Sequence, residues 1–358
     1  MGILLNLTEL PSEDLVAVYH IYEYSMFILT LLLVVYTLTI MYITPSKGLR
    51  KYRWYLIHGI LWGFGFDTMA CLIGAVTLFP LPCYYGINIG GSLGINGQTV
   101  YFIIGANCMV GKVYSIFLQF EHRFQQALPL HSWYREVFWF VHGEYELLAR
   151  VLIYLFIAAS LNIPGFYYRP NQDDQREFLS NMDPVLAQIY REHPNTACFS
   201  GGVDSLIVTI ATCYIFVAVA FGAFFLGFIY ITINRSKFTA NTYRLQMMLF
   251  WSLIAQMAAF VVFMLIPGTV YLGGATLKFR NLPKISVICF FFFVSHTTVD
   301  SLMVLFFIKP YRRAVFYNVK RIFASSQFVD RTSMSVSERE IVKENTLTRV
   351  RPAVSRKD

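Results

Sequence analysis

A carboxylate and a guanidinium lie two positions apart at the end of a long apolar segment, at Glu121 and Arg123, with His122 between them. Side chains of these types form charge-assisted hydrogen bonds, and such a pair can open when a conformational change favours another partner. Charges at the end of an apolar segment can also act only as a topological anchor, and the sequence leaves both interpretations open. We expect the pair to be partly solvated, so that the free energy needed to open it is small.

Four further ionisable side chains lie inside apolar segments, where a charge is costly and the group either pairs with another or marks a functional site. They are Asp67, Lys112, His296 and Asp300. At about 1.5 Å per helical residue, Lys112 lies roughly 16 Å from Arg123, which reaches the middle of a helix bundle. Lys112 could therefore bridge Asp67 or Asp300. The alternative is an internal polar cluster that specifies helix packing without touching a ligand.

Two of the cysteines, Cys83 and Cys198, lie in polar connections rather than in apolar runs. In the orientation derived below both face the oxidising side, where a disulfide could tie a long connection over the mouth of the bundle. Two free thiols are the alternative. No cysteine or histidine spacing matches a metal site, and no HExxH, GxSxG or P-loop pattern is present. We therefore expect no metal site, no cofactor and no enzymatic activity.

The elements that position these side chains are membrane helices. The chain has 358 residues, of which 56% are hydrophobic and only 14% are charged, whereas a soluble domain carries about 25% charged residues. The net charge of +8 is concentrated in a few connections and the C-terminal tail, so nucleic-acid binding is not indicated. The composition predicts an all-α integral membrane protein.

Seven predominantly apolar segments reach about the 20 residues that a helix needs to cross a bilayer. Small residues in the third segment, Gly105, Ala106 and Gly111, favour close helix packing in lipid. We therefore predict a seven-transmembrane helix bundle. Its spans are predicted over residues 22–43, 54–78, 96–120, 148–166, 206–233, 245–270 and 285–308.

Basic residues near the segment ends predict an N-terminus outside and a C-terminus in the cytosol. Lys and Arg are abundant in the first connection, in the fifth-to-sixth connection and at the start of the tail. Residues 1–19 would then be extracellular, with a glycosylation sequon at Asn6. Residues 20–323 would form the seven-helix domain with a short membrane-surface helix, and residues 324–358 a disordered cytosolic tail. Residues 167–205 form a long outer connection whose length suggests a lid.

Several short motifs follow one another along most of residues 40–315. They are Ile43-Thr44-Pro45, Lys51-Tyr52-Arg53-Trp54-Tyr55-Leu56, Phe66-Asp67, Phe79-Pro80, Tyr85-Gly86, Ser115-Ile116, Phe120-Glu121-His122-Arg123-Phe124, Ile163-Pro164, Pro170-Asn171-Gln172, His193-Pro194, Cys198, His296 and Lys309-Pro310-Tyr311-Arg312. In this order they resemble the nematode serpentine receptors of class H, within the Str-type chemoreceptor group, and the closely related class I receptors stay an alternative assignment. His122 stands in place of an asparagine in the family's Phe-Glu-Asn-Arg segment, and Asp300-Ser301 stands where the family more often has Ser-Thr.

The resemblance implies a chemosensory G-protein-coupled receptor in the plasma membrane or in the membrane of a sensory cilium. Such a receptor would bind a small molecule within the helix bundle and activate a heterotrimeric G protein. Membrane lipid and, through the tail, an arrestin are the other expected partners. A ligand-gated channel or transporter is the alternative function. The predicted switch and coupling residues are Glu121, Arg123, Arg235, Lys237 and Arg312.

Overall fold

The computed structural model describes residues 9–44, 49–78, 83–128, 133–137, 145–167, 171–182, 184–198, 201–235, 239–276, 279 and 281–321. The predictions made for Asn6, for Lys237 and for the tail over residues 324–358 lie outside the described residues. The helices are α1 (Glu13–Ile43), α2 (Arg50–Ile73), α3 (Gly94–Ala127), α4 (Trp133–Val137), α5 (Glu146–Tyr167), α6 (Gln172–Met182), α7 (Pro184–Glu192), α8 (Gly201–Arg235), α9 (Ala240–Phe260), α10 (Ile266–Thr276), α11 (Leu282–Phe307) and α12 (residues 309–321).

Six helical segments within the described residues are long and apolar enough to cross a membrane. They belong to α1, α2, α3, α5, α11 and the continuous rod of α9 and α10, which a π-helical turn at Val261–Leu265 joins. The seventh helix is α8, which has 35 residues and is long enough for a hydrocarbon core of about 30 Å. The prediction of an all-α membrane protein is confirmed.

The outer surface of this bundle is apolar. Leu32, Phe156 and Phe216 expose 64%, 71% and 74% of their surface. A soluble monomer rarely exposes large contiguous apolar patches, but in a bilayer lipid tails cover such a surface. The exposed apolar side chains therefore mark the face that contacts lipid.

The second helix ends earlier than its apolar run. Residue 78 was predicted to be the last of the span, and this is wrong because α2 stops at Ile73. Gly74 adopts a left-handed conformation with φ of 56°, which is a common way to end a helix. Val76 and Thr77, which have β-branched side chains, then form strand β1 (Ala75–Thr77) against β2 (Cys83–Gly86). A short buried strand and a buried helix have the same apolar composition, so the sequence pattern did not separate them.

The third helix is longer than predicted. The predicted span ends at residue 120, whereas α3 continues through Ala127. The three residues Glu121, His122 and Arg123 therefore lie inside the helix rather than after it, and their side chains face the neighbouring helices.

Helices α2 and α3 pack closely because glycines line their contact. A Cβ atom added to Gly111 would lie 2.3 Å from the Trp62 ring, and one added to Gly59 would lie 2.9 Å from Ser115 Oγ. Neither position has room for a side chain. Gly111 thus supports the close helix packing that the sequence indicated.

A small cap covers the end of the bundle opposite Glu121. Strand β3 (Ala197–Cys198) extends the antiparallel sheet to the order β1-β2-β3. The predicted outer connection over residues 167–205 is not a plain loop, since it contains α6, α7 and β3. Leu186 and Ile189 of α7 are buried against Tyr19 of α1 and Val287 of α11. The connection is therefore a packed lid over the mouth of the bundle.

Cys83 and Cys198 face each other across β2 and β3 and are joined by a disulfide bond. The Gln172 side chain extends this junction, because it donates to the Cys198 carbonyl at 2.8 Å and accepts from the Cys198 amide at 2.9 Å. His193 stacks on Tyr85 with 3.9 Å between the ring centroids. These contacts hold the lid to the sheet at several independent points.

Cys83→Ser and Cys198→Ser should each lower surface expression, because a native disulfide typically contributes about 2–4 kcal/mol. The double variant should be no worse than either single one, since both changes remove the same bond. Flow cytometry of an extracellular epitope measures the effect. The exposed free cysteine Cys213 offers the control Cys213→Ser, which should leave expression unchanged. Additive losses in the double variant would show that the two cysteines act independently.

Candidate functional site

An ion-pair network at the C-terminal end of α3 joins three helices. Glu121 of α3 accepts a hydrogen bond from Arg150 of α5 at 3.2 Å. Arg150 also pairs with Glu146, one turn earlier in α5, at 2.8 Å, and it donates to the Tyr55 hydroxyl of α2. Glu121 is only 4% exposed. The guanidinium of Arg150 therefore holds the ends of α2, α3 and α5 together.

The other Glu121 oxygen faces the short helix α4 and the last turn of α3. Gln125 donates to it at 2.8 Å, and the Tyr134 hydroxyl lies 3.5 Å away. Burial, and next the Glu121 carboxylate, raises the pKa of Tyr134 above its ordinary value. The phenol therefore stays neutral at physiological pH and can act only as a neutral donor toward the carboxylate.

Arg123 lies in a buried site of its own. Its guanidinium carbon is 3.6 Å from the centroid of the Tyr52 ring, which is a cation–π contact. One terminal nitrogen donates to Gln126 at 2.8 Å. The side chain is 3% exposed, and its Nε and second terminal nitrogen have no hydrogen-bond partner. A buried cation with unmade hydrogen bonds is costly, so the structure keeps Arg123 in a position from which it would gain by acquiring an anionic partner.

Two expectations about these charges are wrong. Glu121 pairs with Arg150 rather than with Arg123, because residues two apart on a helix point in different directions. The network is also buried rather than partly solvated, because α3 continues past it and the rings of Tyr52 and Tyr55 cover it. His122 is part of the same packing, since its ring lies 4.7 Å from that of Tyr55.

A second buried pair lies in the middle of the bundle. Lys112 of α3 pairs with Asp300 of α11, and its ammonium also donates to the Gly59 carbonyl of α2 at 3.2 Å. The other Asp300 oxygen accepts from Gln256 of α9 at 3.1 Å. Of the two partners that the sequence allowed for Lys112, the structure selects Asp300. This pair links α2, α3, α9 and α11 through one charge contact.

Asp67 and His296 lie beside this pair without joining it. The charge of Lys112 acts on both side chains, so all four predicted residues share one neighbourhood. Asp67 is fully buried, and neither of its carboxylate oxygens has a hydrogen-bond partner. Other buried polar atoms without a hydrogen-bond partner lie on α9 and α11. They are Thr297 Oγ1, Ser301 Oγ, Ser252 Oγ, Gln256 Oε1 and His296 Nδ1.

The remaining predicted coupling residues stand apart from these contacts within the described part of the chain. Arg235 is exposed at the end of α8. Arg312 lies near the start of α12 and contacts the Phe306 ring at 5.8 Å. Helix α12 places exposed Phe316 and Tyr317 beside exposed Lys320 and Arg321, which is the composition of a membrane-surface helix.

Sequence reasoning missed the side chains that complete both sites, namely Arg150, Tyr52 and Gln256. Only Arg150 could have been identified as a site residue from the sequence. It follows Glu146, which lies in the first turn of an apolar helix, by four residues. A charge at that position should be paired or should point to the surface. Tyr52 and Gln256 are common types in helices and gave no signal.

Comparison with known protein families shows which family the chain matches. Residues 14–321 match the model of the serpentine-type seven-transmembrane chemoreceptor family Srh. The match covers both buried charge networks, the disulfide and every helix from α2 to α12. Among curated proteins, none matches the sequence. The chain belongs to the Srh family of serpentine seven-transmembrane G-protein-coupled chemoreceptors.

Proposed function

We propose that this chain is a receptor that binds a polar small molecule from the outer side of a sensory cell and activates a heterotrimeric G protein at the opposite end. The observation that carries the proposal is the state of Arg123, a buried cation with two unmade hydrogen bonds at the end of α3. A cation in that state is suited to a switch, since a shift of α3 would present it to an anionic partner.

In the resting state the Glu121–Arg150 pair resists this shift. Arg150 would release Glu121 more readily than an isolated cation, because Glu146 lies 2.8 Å away and can keep it paired. Activation would then leave Arg150 paired with Glu146, and Glu121 would keep the neutral donors Gln125 and Tyr134. Arg123, freed from the Tyr52 ring, would meet the G protein together with Arg235, Lys237 and Arg312 on the cytosolic surface.

The proposed ligand site rests on the unmade hydrogen bonds of Asp67 on α2 and of polar side chains on α9 and α11. Buried polar atoms usually have partners, and the atoms on α9 and α11 are hydroxyls, an amide oxygen and a ring nitrogen. A small molecule with hydrogen-bond donors would satisfy several of them at once. Such a ligand would also act on the nearby Lys112–Asp300 pair and hence on the tilt of α3 against α11.

Ligand-evoked signalling in a heterologous cell tests the proposal directly. Cells that express the chain should respond to at least one polar compound of an odorant panel with dissociation of a G-protein sensor. An epitope at residue 2 should be stained on intact cells, and one at the C-terminus only after permeabilisation. The opposite staining pattern would contradict the proposal, because Arg123 would then lie on the outer side of the membrane.

A ligand-gated channel or transporter is the second candidate. The ionisable cluster of Asp67, Lys112, His296 and Asp300 at the centre of the bundle favours it, since intramembrane charges often line ion or proton pathways. Whole-cell recording separates the two functions. A channel would give a ligand-evoked current that persists when G-protein signalling is blocked, whereas the receptor would give none.

Glu121→Gln is expected to raise basal signalling, because it removes the charge that binds Arg150 and keeps the size of the side chain. A hydrogen bond to a charged group contributes about 1.5–3 kcal/mol, which sets the upper limit of the shift toward the active state. Glu136→Gln is the matched control, since it makes the same change at an exposed position of α4. The control should change basal G-protein activation much less. Equal effects of the two substitutions would show that Glu121 does not restrain the switch.

In the same proposal the tail over residues 324–358 recruits an arrestin after phosphorylation of its Ser and Thr residues, each of which gains about −1.5 to −2 charge. Truncation at Ser325 should then preserve signalling and slow desensitisation. Unchanged desensitisation would leave the tail without this role.

A further inference from the structure

A groove runs along the lipid-facing side of α1 and α2, near the ends of these helices that the short first connection joins. Leu38 and Ile57 form part of its apolar lining, and Arg53 is the charged side chain among the lining residues. Tyr42 and Trp54 also line it, and they are 83% and 63% exposed. Aromatic side chains that are this exposed at the end of a membrane helix are typical of the boundary between lipid tails and headgroups.

The Arg53 side chain is held in place by a hydrogen bond, but no acidic side chain among the described residues neutralises its charge. It donates to the carbonyl of Met41 in α1 at 3.1 Å, which directs the guanidinium toward the α1 side of the groove. No carboxylate among the described residues lies within ion-pair distance of it, and Arg50 and Lys51 in the same turn of α2 are exposed. The groove therefore combines an apolar lining with an unneutralised cluster of positive charge at one end.

We propose that this groove binds an anionic phospholipid of the cytosolic leaflet. One acyl chain would lie along Leu38 and Ile57, and the phosphate would receive two parallel hydrogen bonds from Arg53. The exposed rings of Tyr42 and Trp54 would lie at the glycerol level, and Lys51 would add attraction for the headgroup charge. A zwitterionic lipid fills the same groove without that added attraction. The lipid site goes beyond the proposed receptor function, because neither a chemosensory ligand nor a G protein is needed for it.

Trp54 supplies the means of testing the site. Full-length protein is reconstituted in phosphatidylcholine bilayers that contain a minor fraction of either brominated phosphatidylserine or brominated phosphatidylcholine, and tryptophan fluorescence is recorded. The Trp54→Phe variant, measured in the same bilayers, isolates the contribution of Trp54 by difference. We expect phosphatidylserine to quench Trp54 as though it were enriched about fivefold at the groove, which corresponds to about 1 kcal/mol for one basic residue.

Matched variants assign that preference to the groove. Arg53→Gln should remove most of it and Arg53→Lys should retain part of it, because lysine keeps the charge and loses the paired donors, whereas Arg244→Gln, which removes an exposed charge from α9, should leave it unchanged. Soluble glycerophosphoserine should not compete, because it lacks the acyl chain. Equal quenching by the two brominated lipids would overturn the proposal, and so would a preference that is undiminished in Arg53→Gln. Competition by the soluble headgroup would show a phosphate site rather than a lipid site.

Discussion

Replacing Arg123 with alanine is expected to abolish G-protein activation while the protein still reaches the cell surface. The guanidinium is the group that we propose to meet the G protein, and losing hydrogen bonds of a charged group costs about 1.5–3 kcal/mol, or at least about tenfold in coupling. Folding should be affected far less. The contacts that disappear are a cation–π contact with Tyr52 and one hydrogen bond to Gln126, and no buried charge is left without its partner.

The experiment does not depend on knowing the ligand. Glu121→Gln is expected to raise basal signalling, so the double variant Glu121→Gln and Arg123→Ala should return to the level of cells without receptor. Surface expression, measured in parallel, separates a coupling defect from a folding defect. Arg123→Lys keeps the charge but loses the planar group that lies on the Tyr52 ring, and we expect it to be intermediate. A fully active Arg123→Ala would leave this arginine as a topological anchor.

The membrane helices could be predicted from sequence because crossing a bilayer imposes a single strong requirement, a long apolar run. The prediction errors occurred in segments to which that requirement does not apply. Apolar residues after Gly74 form a strand instead of continuing α2, and polar residues around Leu186 and Ile189 form lid helices that no membrane criterion detects. The burial of Glu121 was also missed, since it depends on how far α3 extends beyond the apolar run and on which helices surround its end.

Partners across helices were harder still to predict. Asp67 and Asp300 both lie at a depth that Lys112 can reach, so depth alone left two partners open. The rotation of α2 and α11 about their own axes decides between them, and packing against every neighbouring helix sets that rotation. The close approach at Gly63, where an added Cβ would lie 2.8 Å from Thr297 Oγ1, is one such constraint on α2 and α11. A single sequence shows the glycine but not the helix that it meets.

The choice of Asp300 as the partner leads to the largest stability effect that we expect. Lys112→Met would leave the Asp300 carboxylate buried with Gln256 as its remaining hydrogen-bond donor. Removing one member of a buried ion pair costs about 3–5 kcal/mol, which is a large fraction of the roughly 5–15 kcal/mol by which native proteins are stable. The variant should therefore be retained inside the cell, and in detergent its thermal unfolding should begin at a clearly lower temperature than that of the native protein.

Two further variants show whether the charge pair itself causes this loss. In the double variant Lys112→Met and Asp300→Leu neither charge remains, and replacing both members of a buried pair by apolar groups is often neutral; most of the lost stability should return. Asp67→Asn is the opposite control. Its carboxylate is fully buried with no hydrogen-bond partner, so removing its charge should leave the unfolding temperature unchanged or raise it. If Asp67→Asn were as damaging as Lys112→Met, and the double variant gave no recovery, Lys112 would have to be paired with Asp67 in the folded protein.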